Sequence, residues 1–256
     1  MSIAETAADR LRVTRPDNPV IEAEGISVSF DGVRALDDVS LAVGPHEIFG
    51  LIGPNGAGKT TCMNVLSGFQ RPTAGTVRVG GKAVTGVRPE KIARAGVGRT
   101  FQAVRPFAQL TVMQNVELGA LGTGAGRRAA RARAADILDA LALTHRQDEL
   151  AAGLPHGEER RLGIARALAG APRVLLLDEP AAGTNESESD ELVESLQAVK
   201  ARFDCSLVII EHDMRLIMGL CERIHVLDFG RSIAEGTPDQ VRTDPAVLEA
   251  YLGVPA

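Results

Sequence analysis

Aromatic residues and cysteines are scarce in this 256-residue chain, which has no tryptophan, one tyrosine and three cysteines. An odd number of cysteines without metal-site spacing argues against a disulfide framework or a zinc site. No stretch approaches the ~20 consecutive apolar residues of a membrane-spanning helix, and the N-terminus lacks the apolar segment of a secretory signal. We therefore expect a cytoplasmic protein with reduced thiols, which reaches a membrane only through partner proteins.

A basic balance is also missing, because the formal net charge is −5, whereas nucleic-acid-binding proteins usually carry a basic surface. The run Arg127–Leu143 has apolar residues on one helical face. The arginines of this run are Arg127, Arg128, Arg131 and Arg133. They alternate with alanine, so we interpret them as the solvated face of an amphipathic helix and expect no nucleic-acid partner.

The length suits one large α/β domain with a small insertion. Residues 1–20 are polar, contain two prolines and are expected to form a flexible tail, and residues 21–256 form the domain. Its middle part changes character, since Thr111 and Gln114 form a capping box that opens a helix through Leu118. We predict a helical insertion over about residues 105–170.

Strand signals flank this insertion. Alternating apolar and polar residues predict half-buried strands at Ile21–Phe30 and Val39–Val43. Nearly continuous apolar runs predict strands covered on both faces; these runs are Ile48–Ile52, Val174–Leu177 and Leu207–Ile210. Between the last two, Glu188–Phe203 has apolar residues at helical spacing, so this part is predicted to be a βαβ unit. Glycines at Gly80–Gly81 and Gly230 indicate two hairpins.

A phosphate-binding loop follows the first apolar run, because residues 53–60 match the pattern G-x-x-x-x-G-K-[ST]. Its glycines let backbone N–H groups converge on phosphate oxygens, and the helix that begins there adds its positive end. Lys59 is expected to reach the β- and γ-phosphates, and Thr60 to ligate Mg²⁺. The predicted nucleotide-binding residues here are Gly53, Pro54, Asn55, Gly56, Ala57, Gly58, Lys59, Thr60 and Thr61.

Cys62 lies just inside this helix, where the helix dipole can lower the pKa of a thiol. Two interpretations stay open for it: an inert reduced thiol, or a redox-sensitive thiol whose oxidation would block nucleotide binding.

Two further strand ends carry groups suited to ATP hydrolysis. Asp178 and Glu179 end an apolar strand, where Asp178 would hold Mg²⁺ and Glu179 would orient the attacking water; the alternative is a solvated acidic turn. His212 follows the next apolar run, and ligand sites of open α/β sheets form at such carboxyl ends. It would donate to the γ-phosphate, and the alternative is an exposed loop histidine.

In their order along the chain, these elements resemble those of the ATP-binding subunits of ABC transporters, and the resemblance covers residues 21–253. The corresponding elements are Phe30, Gly53–Thr60, Gln102, Leu154–Glu158, Asp178–Glu179, Ala182–Asn185 and His212. The resemblance implies a P-loop NTPase core with an antiparallel β subdomain and a helical insertion subdomain. It also implies that Gln102 binds Mg²⁺ and the attacking water, that Phe30 stacks on adenine rather than packing in the core, and that Gly157 contacts ATP held by a second subunit.

Within the family, the chain is similar to the larger ATPase subunit of the branched-chain amino acid importers. The segments that carry this likeness are Gly98–Gln102, Asp178–Gly183, Glu211–Met214, Met218–Cys221 and Tyr251–Gly253. The resemblance implies uptake of branched-chain amino acids or a related small polar solute. It implies as partners transmembrane permease subunits, a paralogous second ATPase and an extracytoplasmic solute-binding protein, with this chain peripheral on the inner face of the membrane.

The signature loop departs from the family pattern Leu-Ser-x-Gly-Gln, since it reads Leu154-Pro155-His156-Gly157-Glu158. The serine hydroxyl is lost, and Glu158 is expected to turn back toward its own first helical turn, away from the nucleotide. Two other functions stay open on the sequence: an export ATPase for lipid or lipopolysaccharide, and a soluble ABC ATPase of DNA repair or translation. The single cassette without a long heptad run argues against the second.

Overall fold

The computed structural model describes residues 15–100 and 106–252. Its strands are β1 (Ile21–Phe30), β2 (Val33–Val43), β3 (Ile48–Ile52), β4 (Ala74–Val79), β5 (Lys82–Ala83), β6 (Val97–Arg99), β7 (Val174–Asp178), β8 (Ser206–Ile210), β9 (Arg223–Asp228) and β10 (Arg231–Gly236). Its helices are α1 (Lys59–Leu66), α2 (Pro89–Ala95), α3 (Val112–Gly122), α4 (Arg127–Ala140), α5 (His156–Leu168), α6 (Glu186–Arg202), α7 (Met214–Leu220), α8 (Pro238–Arg242) and α9 (Pro245–Leu252).

Two sheets organise these elements. The first is antiparallel, with the order β2-β1-β4-β5, and it contains the predicted Gly80–Gly81 hairpin. The second has the order β10-β9-β3-β8-β7-β6 and is parallel except for the terminal β9–β10 hairpin. This arrangement confirms the predicted α/β class with an antiparallel β subdomain.

The larger sheet separates two apolar cores, which explains the continuous apolar runs of its central strands. In β7, Leu175 and Leu177 pack with the helices α3–α7 on one face. Val174 and Leu176 point to the opposite core, which includes α1 and the antiparallel sheet. Because alternate side chains of a strand point to opposite faces, a strand covered on both sides is apolar at every position.

Several helix ends differ from the sequence-based expectation. The capping box of Thr111 and Gln114 is present, but α3 continues to Gly122 instead of ending at Leu118. The helix predicted to reach Leu143 ends at Ala140, because Ala142 adopts a left-handed φ of 54° and the Leu143 N–H donates to Leu138 O. Such a terminating motif depends on one backbone conformation, which apolar periodicity does not encode.

The predicted flexible tail is described only from residue 15 onward, so this assignment stays a prediction, as do the boundaries of the helical insertion. Within residues 15–100 and 106–252, no helix is both long enough and apolar enough to span a bilayer. The parallel strands place the ends of β3, β7 and β8 side by side, with Asp178 paired to Ile210. Residues that follow these three strands therefore meet at one edge of the sheet.

Candidate nucleotide site

The loop after β3 has a backbone conformation that requires glycine at two positions. Gly53 has a φ of 150°, and a Cβ built there would lie 2.0 Å from the Leu227 carbonyl oxygen. Gly58 has a φ of 100°, and its Cβ would lie 2.7 Å from the Ala35 carbonyl oxygen. A side chain at either position would displace the loop, so the narrow backbone curve that can enclose phosphate depends on glycine here.

Lys59 lies buried within this curve. Its Nζ donates to Gly53 O at 2.6 Å and to Pro54 O at 2.9 Å. Burial lowers the pKa of Lys59, and the neighbouring carboxylates of Glu179 and Asp178 oppose this shift. The ammonium thus lies between the loop and the two acidic residues. Phosphate oxygens could replace its two carbonyl partners.

Asp178 ends β7 in a buried ion pair. Its Oδ2 lies 3.1 Å from Arg99 Nη2, and both side chains are only 7% exposed. Arg99 Nη1 also donates to Asn64 Oδ1 and Ser67 Oγ, each at 2.7 Å, on the C-terminal part of α1. Arg99 therefore ties the acidic strand to the phosphate-loop helix. Sequence reasoning missed this role of Arg99, because its partners Asn64 and Asp178 lie 35 and 79 positions away.

Glu179 and His212 meet above the strand ends. The distance between His212 Nε2 and Glu179 Oε1 is 2.9 Å. Glu179 has a left-handed φ of 49°, and its N–H donates to Ile210 O at 2.9 Å. This unusual backbone conformation aims the carboxylate at His212 instead of leaving it in a free turn. The structure thus brings together two side chains that lie 33 positions apart in the sequence.

Glu211, to which the sequence analysis assigned no role, stabilises this arrangement. It is buried, its Oε1 accepts the Ala181 N–H at 2.5 Å, and its Oε2 accepts the His212 N–H at 3.0 Å. Its carboxylate thereby connects the loop after Glu179 to the loop that carries His212.

Phe30 and Gln102 are the remaining residues that the sequence predicts to contact the nucleotide. Phe30 ends β1 and is 48% exposed, so the alternative of a core phenylalanine is wrong and its ring is accessible for stacking. Gln102 lies outside the described residues, and its role stays a prediction.

The signature segment forms the N-terminus of α5, with Pro155 as its N-cap residue. From the sequence we expected Glu158 to turn back toward its own first helical turn, but the structure shows no such hydrogen bond among the described residues. Instead, its carboxylate accepts from Arg146 Nε at 3.0 Å and lies 3.2 Å from His145 Nε2. These basic partners lie on a short 3₁₀ helix, Thr144–Arg146, and they explain the difference, because the ion pair holds the carboxylate away from the helix N-terminus.

Of the two interpretations of Cys62, the structure favours the inert reduced thiol. The side chain is completely buried, and desolvation raises the pKa of its thiol to about 12. The helix dipole favours the thiolate only where water or a cation stabilises the charge as well, and a dry core provides neither.

Comparisons with known proteins agree with this geometry. Residues 36–182 match the ABC transporter family, and residues 231–256 match the branched-chain amino acid ATP-binding cassette transporter family. The chain is similar to the high-affinity branched-chain amino acid transport ATP-binding protein LivG of Escherichia coli, with 42% identity over 92% of this chain and 98% of that protein. It is 40% identical to BraF of Pseudomonas aeruginosa, which has the same description, over 92% of this chain and 98% of BraF.

A lipopolysaccharide export ATP-binding protein, LptB of Haemophilus influenzae, is 33% identical over 91% of this chain and 97% of LptB. Among solved structures, the fold is similar to an ATP-binding cassette of an ABC transporter in its ADP conformation. That match has a TM-score of 0.82 and 30% identity, and it covers 92% of this chain and 99% of the other.

Proposed function

Because this chain belongs to the ATP-binding cassette family of ABC transporters, we propose that it powers the import of branched-chain amino acids or a related small polar solute. The observation that carries the proposal is the convergence of the Lys59 ammonium and the Asp178, Glu179 and His212 side chains at one sheet edge. A cation held in a glycine-rich loop, with two carboxylates beside it, is the set of groups that phosphoryl transfer to water requires.

The nucleotide would bind this loop through its phosphate groups. The backbone N–H groups of the curve and the start of α1 would hold the phosphate oxygens, and Lys59 would exchange its Gly53 and Pro54 carbonyl partners for them. Phe30 would stack on the base. The other residues that would line the phosphate site are Asn55, Gly56, Ala57, Gly58 and Thr61.

A magnesium ion suits the same edge, because the Asp178 carboxylate and the Thr60 hydroxyl are hard oxygen donors. Mg²⁺ commonly takes only one or two protein ligands and fills its sphere with water and phosphate oxygens. Bound there, the ion would neutralise charge on the transferred phosphoryl group. Arg99 already neutralises part of the Asp178 charge, so the two cations would share this carboxylate. Gln102 would contribute a further oxygen ligand.

The hydrolytic step is assigned to Glu179 and His212. The Glu179 carboxylate would orient the attacking water, while the His212 ring would hold that carboxylate and donate toward the γ-phosphate. A second, paralogous ATPase would complete the site, with Gly157 of this chain facing the γ-phosphate bound by the other subunit. Permease subunits, engaged through the Gln102 region, and an extracytoplasmic binding protein would complete a transporter on which this chain sits at the cytoplasmic face.

Import is favoured over export by the C-terminal part of the chain. Residues 231–256 match the branched-chain amino acid family, and the importer relatives are 40–42% identical, compared with 33% for the lipopolysaccharide export relative. The same comparisons disfavour a soluble repair or translation ATPase.

The proposal is tested with the transporter purified through a tag on this chain. We expect permease subunits and a second ATPase to co-purify, and proteoliposomes with ATP and Mg²⁺ inside to take up leucine when a binding protein is supplied outside. Preparations with ADP inside are the control. Release of lipid or lipopolysaccharide instead of solute uptake would show that the export function is correct.

The altered signature allows a quantitative prediction. Restoring Pro155→Ser together with Glu158→Gln should tighten ATP-dependent dimerisation by about three- to tenfold, because one neutral hydrogen bond contributes roughly 0.5–1.5 kcal/mol. The measurement is the dimer dissociation constant at saturating ATP in a Glu179→Gln background.

Glu158→Gln alone is the matched control, since it breaks the ion pair with Arg146 without supplying the hydroxyl. An unchanged dissociation constant in the restored protein would mean that the hydroxyl is dispensable for this loop.

A further inference from the structure

One guanidinium connects the signature loop to the acidic strand end within the same chain. Arg160, on the second turn of α5, donates from Nε to His156 Nε2 at 3.2 Å. It also donates from Nη1 to the backbone oxygen of Glu179 at 2.9 Å. The three residues come from two separate elements, α5 and the loop after β7.

The first of these bonds determines which ring nitrogen of His156 carries the proton. An arginine N–H can only donate, so Nε2 of His156 presents its lone pair and the proton lies on Nδ1. That Nδ1 is 4.0 Å from Glu159 Oε2, which exceeds a hydrogen-bond length. The exposed ring at the start of α5 thus carries a donor N–H next to Pro155, the position that lacks the usual hydroxyl.

The second bond acts on the peptide that orients Glu179. The Glu179 N–H is held by Ile210 O at 2.9 Å, and its carbonyl accepts from the Ala182 N–H at 3.2 Å as well as from Arg160. A non-glycine residue at a φ of 49° persists only when its surroundings hold it there. Without Arg160, the Glu179 carbonyl would lose one of the two hydrogen bonds that it accepts, so the carboxylate would be held less firmly toward His212.

We propose, on the premise that the chain hydrolyses ATP in a two-subunit sandwich, that Arg160 is a positioning residue linking His156 to Glu179. His156 faces the nucleotide bound by the second subunit, and Glu179 serves the nucleotide bound by its own chain. Because the guanidinium is a rigid planar fork, a shift of His156 toward the facing phosphate is transmitted to the Glu179 carbonyl. Each nucleotide thereby adjusts the water-orienting carboxylate of the other site.

The test uses the transporter purified through a tag on this chain, which carries either the wild-type sequence or one of four variants: Arg160→Met, Arg160→Lys, His156→Ala and the double variant Arg160→Met with His156→Ala. We expect Arg160→Met to lower kcat at least tenfold, because a displacement of about 1 Å at a catalytic group can cost on the order of 10²-fold. Affinity for a fluorescent ATP analogue should stay within twofold, since Arg160 does not touch the phosphate loop of its own chain.

A lysine cannot span both acceptors with one nitrogen, so Arg160→Lys should recover part of kcat, but not all of it. In the double variant, the loss of kcat should be smaller than the product of the two single losses, because both substitutions interrupt one connection. Arg128→Met is the matched control, since Arg128 is an exposed arginine on α4.

Normal turnover in Arg160→Met, or kcat losses that multiply in the double variant, would overturn the inference. If Arg160→Met fails to fold, His156→Ala decides, because its exposed ring can be removed without disturbing the core; unchanged kcat there rejects the link. A wild-type transporter, with its second ATPase present, that fails to hydrolyse Mg²⁺-ATP would instead contradict the proposed function, so the two failures are distinguishable.

Discussion

Lys59→Ala is expected to weaken ATP binding by about 10²–10⁴-fold. Hydrogen bonds to charged groups contribute roughly 1.5–3 kcal/mol each, and in the proposed complex the Lys59 ammonium would make two with the β- and γ-phosphates. Its present partners, the carbonyl oxygens of Gly53 and Pro54, keep it inside the phosphate curve at 2.6 and 2.9 Å. The substitution also removes the ammonium that faces both Asp178 and Glu179, which leaves more negative charge opposite the triphosphate. Calorimetric titration with ATP and Mg²⁺ measures the loss.

Lys91→Ala is the matched control, because Lys91 is an exposed lysine on α2. It removes the same charge from the protein and should leave the dissociation constant unchanged. Wild-type affinity in Lys59→Ala would show that this loop does not hold the nucleotide.

Glu179→Gln should keep ATP binding but lose turnover by about 10²–10⁴-fold, the usual contribution of a positioned general base. The amide has the same shape, and the backbone contacts from Ile210 and Arg160 do not involve the side chain. The geometry should therefore survive while the ability to polarise water is lost. Steady-state phosphate release gives kcat, and size-exclusion chromatography with ATP should show an accumulated closed dimer.

Glu194→Gln, an exposed position of α6, controls for the loss of one negative charge. Near-normal turnover in Glu179→Gln would mean that another group orients the water. A mutant that neither turns over nor binds ATP would point to a distorted phosphate loop instead of a missing base.

Much of the candidate site could be predicted from the sequence because its parts are contiguous. The loop at residues 53–60 is a local pattern, and its glycines are required by backbone conformations that few other residues adopt. The apolar runs before Gly53 and Asp178 mark strands covered on both faces, and parallel strands bring their carboxyl ends together. Asp178, Glu179 and His212 could therefore be proposed as site residues from the sequence pattern, whereas Phe30 was proposed through the family resemblance.

Only the tertiary structure decided how these groups are held. Arg99 lies 79 positions from Asp178, and Arg160 lies 19 positions from Glu179; no short-range pattern encodes either pairing. The burial of Cys62 likewise depends on which elements cover α1, and burial shifts the pKa of its thiol in the direction opposite to the effect of a helix dipole. A motif specifies which atoms are present, whereas desolvation and partner choice depend on packing between distant segments, because both are properties of the space around a side chain.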